Sequence, residues 1–136
     1  MTDQEKAEVE VALHQFAMAV QGGINALDLE SQFDMFTDSP DFTFAEDGQL
    51  SPPKAAMLEM YKPIYAEFED MSLVWDTIRV GVLCRDAGVI TARAPFSFRT
   101  RDGQERGGVV VSTYAVRRNA DRWELVHGHA SHVWND

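Results

Sequence analysis

The sequence has a single cysteine and no long apolar segment. That cysteine, Cys84, excludes an internal disulfide among the 136 residues and is typical of a reducing cytoplasm. Because it lies in an apolar strand pattern, we expect a buried and inert thiol. No apolar run approaches the roughly 20 residues of a membrane-spanning helix, and the polar, acidic N-terminus is unlike a secretory signal. We therefore expect a cytoplasmic protein with no membrane partner.

Basic residues are also few, and they are unevenly distributed. The chain has 22 acidic and 12 basic residues, which gives a formal net charge of −10. Residues 1–78 contain only three of the basic residues against 16 acidic ones. Such a segment repels a phosphate backbone, and the nine arginines that follow form no stripe interleaved with aromatics, so we expect no nucleic-acid partner. The arginines leave two alternatives open, a solvated sheet surface or a pocket for an anionic ligand.

The first half of the chain has the hydrophobic period of helices. Thr2 and Glu5 have the spacing of a capping box before a long amphipathic helix. Asp28 is placed to cap a second, short helix. The dipeptide Ser51-Pro52 predicts the start of a third helix, in which Pro63 predicts a kink or a break.

From Leu73 onward the hydrophobic period changes to two, the period of strands. We predict four long strands, at about 72–85, 88–100, 105–118 and 122–134. A short strand near 41–44 precedes the turn signal Asp47-Gly48. Short turns between the long strands make them antiparallel neighbours. Helices followed by such a sheet predict one α+β domain over residues 1–136, with helices on one sheet face.

The other face of that sheet is partly apolar as well. In the third long strand, Val109 and Val111 point to one side while Val110 and Tyr114 point to the other. A sheet that is apolar on both sides usually has both sides covered. Because the helices cover only one, we predict a homodimer formed through the outer sheet face.

The last strand carries the least ordinary pattern, in which aromatic, apolar, imidazole and hydroxyl side chains recur at every second position. These residues are Trp123, Leu125, His127, His129 and Ser131. Strict alternation would place all five on one face. Two imidazoles two residues apart could chelate zinc. However, His132 has the opposite parity and no acid or cysteine has ligand spacing, so we predict no metal and no cofactor.

The order of elements and the ending Trp123-x-x-Val126-His127-x-His129-x-Ser131 resemble the nuclear transport factor two-like superfamily. Within it, the SnoaL-like domains and the association domain of calcium/calmodulin-dependent protein kinase II are most similar. The resemblance implies a cystatin-like cone, in which a curved antiparallel sheet wraps around the helices and leaves a pocket at the wide end. It also implies dimers, and a family of enzymes such as ketosteroid isomerase beside non-catalytic binding and assembly modules. Fold alone therefore does not give the function.

The same resemblance implies candidate residues. Asp41-Phe-Thr-Phe-Ala-Glu46 is similar to the ketosteroid isomerase stretch that ends in the catalytic base, which falls on Glu46. The isomerase tyrosine falls on Phe16, which has no hydroxyl to donate to an oxyanion. The pocket arginines of the kinase association domain fall near Ala94 and Tyr114, so its anion pocket is not clearly preserved.

We expect apolar and aromatic side chains to line the pocket, with few polar groups among them. The candidates for ligand binding are Phe16, Tyr61, Tyr65, Trp75, Phe96, Tyr114 and His127. The candidates for catalysis are Glu46 as base and either His129 or Tyr114 as its polar partner. A buried Tyr114 must find a partner or a ligand.

Three functions are consistent with these residues. The first is a dimeric protein that binds a small, partly apolar molecule, with or without an anionic group. The second is a small isomerase, cyclase or dehydratase that uses Glu46 as a general base. The third is an assembly module without a ligand of its own.

Overall fold

Two helices precede the first two short strands, and a third helix separates these from the five remaining strands. The change from helical to strand-like hydrophobic period predicts this order. A computed structural model describes all 136 residues. The helices are α1 (Asp3–Asn25), α2 (Leu29–Asp34) and α3 (Lys54–Ala66). The strands are β1 (Thr43–Glu46), β2 (Gln49–Leu50), β3 (Phe68–Leu73), β4 (Thr77–Cys84), β5 (Ala87–Thr100), β6 (Glu105–Asn119) and β7 (Arg122–Trp134).

The seven strands form one curved sheet in the order β2-β1-β7-β6-β5-β3. The strand β4 pairs with the first half of β5, and β3 pairs with the second half. All neighbours are antiparallel except β1 and β7, which run parallel. The α+β class and the helices packed on one sheet face are therefore as predicted, with one parallel pair added. The helices pack on the concave side, where the inward residues of β5 and β6 alternate with exposed ones.

The predicted strand at 72–85 is wrong, because the chain leaves the sheet in its middle. β3 and β4 are separate strands that both pair with β5. Between them Trp75 turns inward onto α1, where its indole nitrogen donates to the Ala17 carbonyl at 2.8 Å. Its backbone N–H donates to the Gln21 side chain at 2.8 Å. These hydrogen bonds to α1 therefore replace the sheet hydrogen bonds that a continuous strand would have made at Trp75.

The helix ends follow local chemistry. Thr2 caps α1 by accepting from the Glu5 backbone N–H at 3.0 Å, and Asp28 caps α2 by accepting from Ser31 at 3.0 Å. The helix α3 begins at Lys54, after two prolines, rather than at the predicted Ser51-Pro52. Pro63 lies inside α3, which continues to Ala66, so of the predicted kink or break the break does not occur.

The strand β7 contains a bulge, which the predicted strict alternation does not include. Val116 pairs with Leu125, whereas the preceding Ala115 pairs with His127, so Val126 is an extra residue in β7. A bulge reverses the parity of everything beyond it. The prediction that His127, His129 and Ser131 share a face with Leu125 is therefore wrong.

The core contains several side chains that solvent does not reach. Leu13, Ile90 and Leu125 are fully buried, and Phe16 is only 6% exposed. None of the helices is both long and apolar enough to cross a membrane. Cys84 is exposed rather than buried, because it ends β4 just before the turn into β5.

Candidate functional site

A cavity of about 700 Å³ lies between the helices and the concave face of the sheet, at the wide end of the cone. This volume is within the range of small-molecule pockets. Of its 32 lining residues, 24 are hydrophobic. Among the predicted pocket residues, those that line it are Glu46, Tyr61, Tyr65, Trp75, Phe96 and Tyr114. The cavity therefore favours a molecule that is largely apolar.

The inward side chains of β7 show how deep each part of the cavity lies. Leu125 is fully buried, Ala130 is 8% exposed and Trp134 is 40% exposed. The neighbouring strand β6 places Tyr114 beside Gly128, one step deeper than Ser112 beside Ala130. The narrow end is thus at Leu125, and the mouth is at Trp134.

The turn between β1 and β2 brings a carboxylate to the mouth. Asp47 and Gly48 both have positive φ, 49° and 83°, and they join Glu46 and Gln49 as a two-residue hairpin loop. Aspartate and glycine tolerate this left-handed backbone, which explains why the Asp47-Gly48 signal was correctly predicted as a turn. Asp47 then accepts from the His132 backbone N–H through Oδ1 at 2.9 Å. The turn is fixed to β7 by this bond.

The second oxygen of Asp47 contacts an imidazole that lines the cavity. Oδ2 lies 2.9 Å from Nδ1 of His132. The imidazole packs edge-on against Phe96 and is stacked beside Trp134, with centroid distances of 5.2 Å and 5.6 Å. A carboxylate beside Nδ1 favours the tautomer with its proton on Nδ1, which leaves Nε2 with a free lone pair. The geometry is that of an oriented general base.

A second carboxylate lies beside this pair. Oε1 of Glu46 is 3.8 Å from Nδ1 of His132, and Oε2 accepts from the Tyr61 hydroxyl at 2.7 Å. Burial raises the pKa of Tyr61 well above its usual range, and the charge of Glu46 raises it further. Tyr61 therefore stays a neutral hydrogen-bond donor that holds Glu46, and it does not release its proton near neutral pH.

Two hydroxyls lie deeper in the cavity. Tyr114 is 5% exposed and Ser112 is 3% exposed, and both line the cavity. Burial raises the pKa of Tyr114 to about 12, partly offset by the adjacent Ser112 hydroxyl and supported by the charge of Glu46. The Ser112 hydroxyl is the hydrogen-bonding neighbour of the Tyr114 phenol. When two hydroxyls bond to each other, one O–H donates within the pair and the other O–H can donate to a ligand.

One wall of the cavity depends on a glycine. A Cβ on Gly128 would overlap the ring of Phe44, which lies on it from the neighbouring β1. Phe44 lines the cavity beside Glu46. The missing side chain at Gly128 thus lets β1 carry both residues close to the floor of the site.

Three of the predicted site residues lie elsewhere. Phe16 belongs to the core at the narrow end and does not line the cavity. The bulge at Val126 turns His127 and His129 to the outer face, where Nδ1 of His127 lies 2.8 Å from the Thr43 hydroxyl. His129 is exposed on the same face. These placements correct the expectation that Phe16, His127 and His129 face a ligand.

His132 was not predicted as a site residue, because strict alternation gives it the opposite parity to His127 and His129. A signal was present in the sequence. If Trp123 and Trp134 both point inward, the inward positions counted forward from Trp123 and those counted backward from Trp134 fall on residues of opposite parity. They meet out of phase at Leu125 and Val126, which is the pattern of one inserted residue.

The same cluster is also the group that could hold a cation. Ligand atoms of Glu46, Asp47 and His132 all lie within 4.8 Å of one another. However, the Asp47 oxygen and the His132 nitrogen already face each other at 2.9 Å. The arrangement is therefore a hydrogen-bonded carboxylate–imidazole pair with a second carboxylate beside it.

A curved sheet that closes over three helices and leaves a polar cluster in an apolar cavity defines a class of cone-shaped pocket domains. The model of the SnoaL-like domain matches residues 9–135, and the chain belongs to that family. No curated protein matches the sequence.

Solved structures confirm the fold. A candidate dehydratase of the nuclear transport factor 2-like family from Streptomyces avermitilis is 22% identical, with a TM-score of 0.78 over 93% of this chain and 98% of that one. A nuclear transport factor 2-like superfamily protein from Salmonella enterica is 18% identical, with a TM-score of 0.82 over 93% and 92%. A hexachlorocyclohexane dehydrochlorinase from Novosphingobium barchaimii is 11% identical, with a TM-score of 0.80 over 98% and 93%. At these identities the likeness is one of fold.

Proposed function

We propose that this protein binds a small, largely apolar molecule in the cavity and removes a proton from one of its carbon atoms. The observation that carries the proposal is the pair formed by Asp47 and His132 on the wall of an otherwise apolar cavity. An imidazole is the side chain whose ordinary titration lies closest to neutral pH. Oriented by a carboxylate and facing a bound molecule, it has the arrangement of a general base.

The deeper hydroxyls fit the same reaction. Loss of a proton next to a carbonyl moves negative charge onto its oxygen, and a donor placed at that oxygen stabilises the charge. Tyr114 and Ser112 supply such a donor within the cavity. The base and the donor thus come from neighbouring strands, β7 and β6, which fixes their separation.

Glu46 is the second candidate for the base. It lines the cavity, as the resemblance to ketosteroid isomerase implied, but one of its oxygens is already held by Tyr61. We assign it the lesser role of setting a negative field beside the imidazole. The names of two structural neighbours support proton removal as the reaction class, because dehydration and dehydrochlorination both take a proton from carbon.

The experiment measures deuterium exchange into a probe. We choose 2-tetralone, a neutral aromatic ketone whose C1 hydrogens are weakly acidic, and follow loss of their proton signal by NMR in D₂O. The protein should accelerate the exchange over buffer, and His132→Gln should lower the acceleration about 10² to 10⁴-fold.

The matched control is His129→Gln, which changes an imidazole of the same strand on the outer face. It should leave the exchange rate unchanged. Equal loss in both variants, or no acceleration by the unmodified protein, would contradict the proposal. A larger loss in Glu46→Gln than in His132→Gln would transfer the base role to Glu46.

We also propose that the protein is a homodimer formed through the outer sheet face. Val111 on β6 is 40% exposed and Val133 on β7 is 74% exposed, and both lie on that face. Sizing in solution should give twice the monomer mass, and Val133→Glu should shift it toward the monomer.

The exposed Cys84 is consistent with the expected cytoplasmic location.

A further inference from the structure

The charges that face the cavity all have one sign. The two carboxylates of Glu46 and Asp47 belong to the lining, and no lysine or arginine does. The guanidinium of Arg106 lies 4.6 Å from the ring centroid of Trp134, a lining residue, and Arg106 is not itself part of the lining. The other ionisable side chains of the lining are the imidazole of His132 and three phenols.

Six of the other eight arginines form ion pairs with carboxylates outside the cavity lining. Arg99 contacts Asp70 at 2.7 Å, and Arg118 contacts Asp86 at 2.7 Å. Arg117 contacts Glu124 at 3.2 Å behind the narrow end. The alternative of an anion pocket built from arginines, left open by the sequence, therefore has no support in the geometry.

The negative field reaches across the cavity. The charge of Glu46 is among the causes that raise the pKa of Tyr61, Tyr65 and Tyr114, which come from α3 and from β6. In a mostly apolar surrounding, charges interact more strongly than they do in water. A negative group on a ligand would meet the same repulsion that these phenolates meet.

The walls around the carboxylates are aromatic. Trp134 and Phe98 meet edge-on with centroids 6.0 Å apart, and Tyr61 and Tyr65 meet edge-on at 6.2 Å. Aromatic faces attract cations, and ammonium groups bound by proteins are commonly held by such rings together with carboxylates. The buried Tyr114 adds a donor that faces the same cavity from its deep side.

We infer that the ligand is a hydrophobic amine, whose ammonium group lies in the negative field of the Glu46 and Asp47 carboxylates and whose ring system lies in the aromatic part of the cavity. The inference rests on the proposed function only in requiring that the cavity binds a small molecule. It specifies the charge of that molecule, which the proposed reaction leaves open.

The experiment compares three naphthalene probes of one shape and different charge by isothermal titration calorimetry at pH 7. The probes are 2-(aminomethyl)naphthalene, 2-naphthalenemethanol and 2-naphthoate. The amine should bind about tenfold or more tightly than the carboxylate, with the alcohol between them. The preference for the amine should shrink when salt is raised from about 0.05 M to 0.5 M.

Two variants test whether the carboxylates of Glu46 and Asp47 cause the preference for the amine probe. Glu46→Gln keeps an acceptor for Tyr61, and Asp47→Asn keeps the left-handed turn and the acceptor for the His132 backbone. Each should reduce the ratio of amine to carboxylate affinity several-fold. The matched control Glu105→Gln removes an exposed charge that is not part of the lining and should leave the ratio unchanged.

The outcomes separate the two proposals. Equal affinities for the three probes, or tightest binding of 2-naphthoate, would overturn the amine and leave the pocket and its base intact. An equal loss of preference in Glu105→Gln would also overturn it, because the effect would then come from net charge. Absence of binding by all three probes would overturn both the amine and the binding cavity.

Discussion

Replacing Tyr114 by phenylalanine should make the protein less sensitive to alkaline pH. The phenol is 5% exposed in the cavity, and burial raises its pKa to about 12, against an ordinary value near 10. The folded state therefore holds the proton more tightly than the unfolded chain does. Stability from this group is fully present below about pH 10 and is lost as the pH rises toward 12.

The size of the effect follows from the shift. One pKa unit corresponds to about 1.4 kcal/mol, so a shift of about two units corresponds to roughly 3 kcal/mol, of which about 2 kcal/mol is lost by pH 12. The free energy of unfolding should thus fall by about 2 kcal/mol more in the unmodified protein than in Tyr114→Phe between pH 9 and pH 12. Tyr61 and Tyr65 titrate in both proteins, so their contributions cancel in the comparison.

Two assays check this account of Tyr114. Urea unfolding at several pH values gives the free energies, and phenolate absorbance at 295 nm, taken as the difference between the two proteins, gives the titration of this one phenol. A difference spectrum with its midpoint near pH 10 would refute the reasoning. It would mean that water reaches the hydroxyl freely and that the deep end of the cavity is not apolar.

Three further predictions concern single side chains. Gly128→Ala should destabilise the protein by about 1 to 3 kcal/mol in urea unfolding, because the new Cβ overlaps the ring of Phe44. In the control Gly22→Ala, the new Cβ meets nothing within 4 Å, so the same assay should show that α1 is stabilised by up to about 1 kcal/mol. Trp75→Phe removes the donor to the Ala17 carbonyl and should cost about 1 to 3 kcal/mol in the same assay, whereas no loss would show that this bond does not hold the break between β3 and β4. Asp47→Asn should lower the exchange of 2-tetralone about 10 to 100-fold with little change in melting temperature, and an unchanged rate would remove Asp47 from the base pair.

Much of the fold was predictable because local chemistry decided it. The caps at Thr2 and Asp28 and the Asp47-Gly48 turn depend on neighbouring residues alone, so short-range reasoning reaches them. The position of β5 was predictable for the same reason, since its period-two alternation is unbroken from Ile90 to Phe96.

The errors came from features that depend on the whole fold. The break around Trp75 requires knowing that α1 offers a carbonyl and a glutamine side chain to the indole and its backbone. The bulge at Val126 requires knowing where β6 places its partners. That single extra residue determines which imidazole lines the cavity, because it turns His127 and His129 outward and His132 inward.

Glu46 shows a different limit. Its entry into the cavity was implied by resemblance, and the structure shows its side chain lining that cavity. Its partner Tyr61 comes from α3, 15 residues further along the chain, and was predicted only as an apolar wall. The sequence could suggest each residue, but only the packing of α3 on β1 shows that the phenol holds the carboxylate.

The most direct measurement is a crystal structure of the protein soaked with 2-tetralone. The account predicts density for the ring system in the cavity, with the ketone oxygen within hydrogen-bond distance of Tyr114. The C1 carbon should then lie within roughly 3.5 Å of Nε2 of His132. Density for the probe on the outer face beside His127 and His129, or a cavity filled by its own side chains, would contradict it.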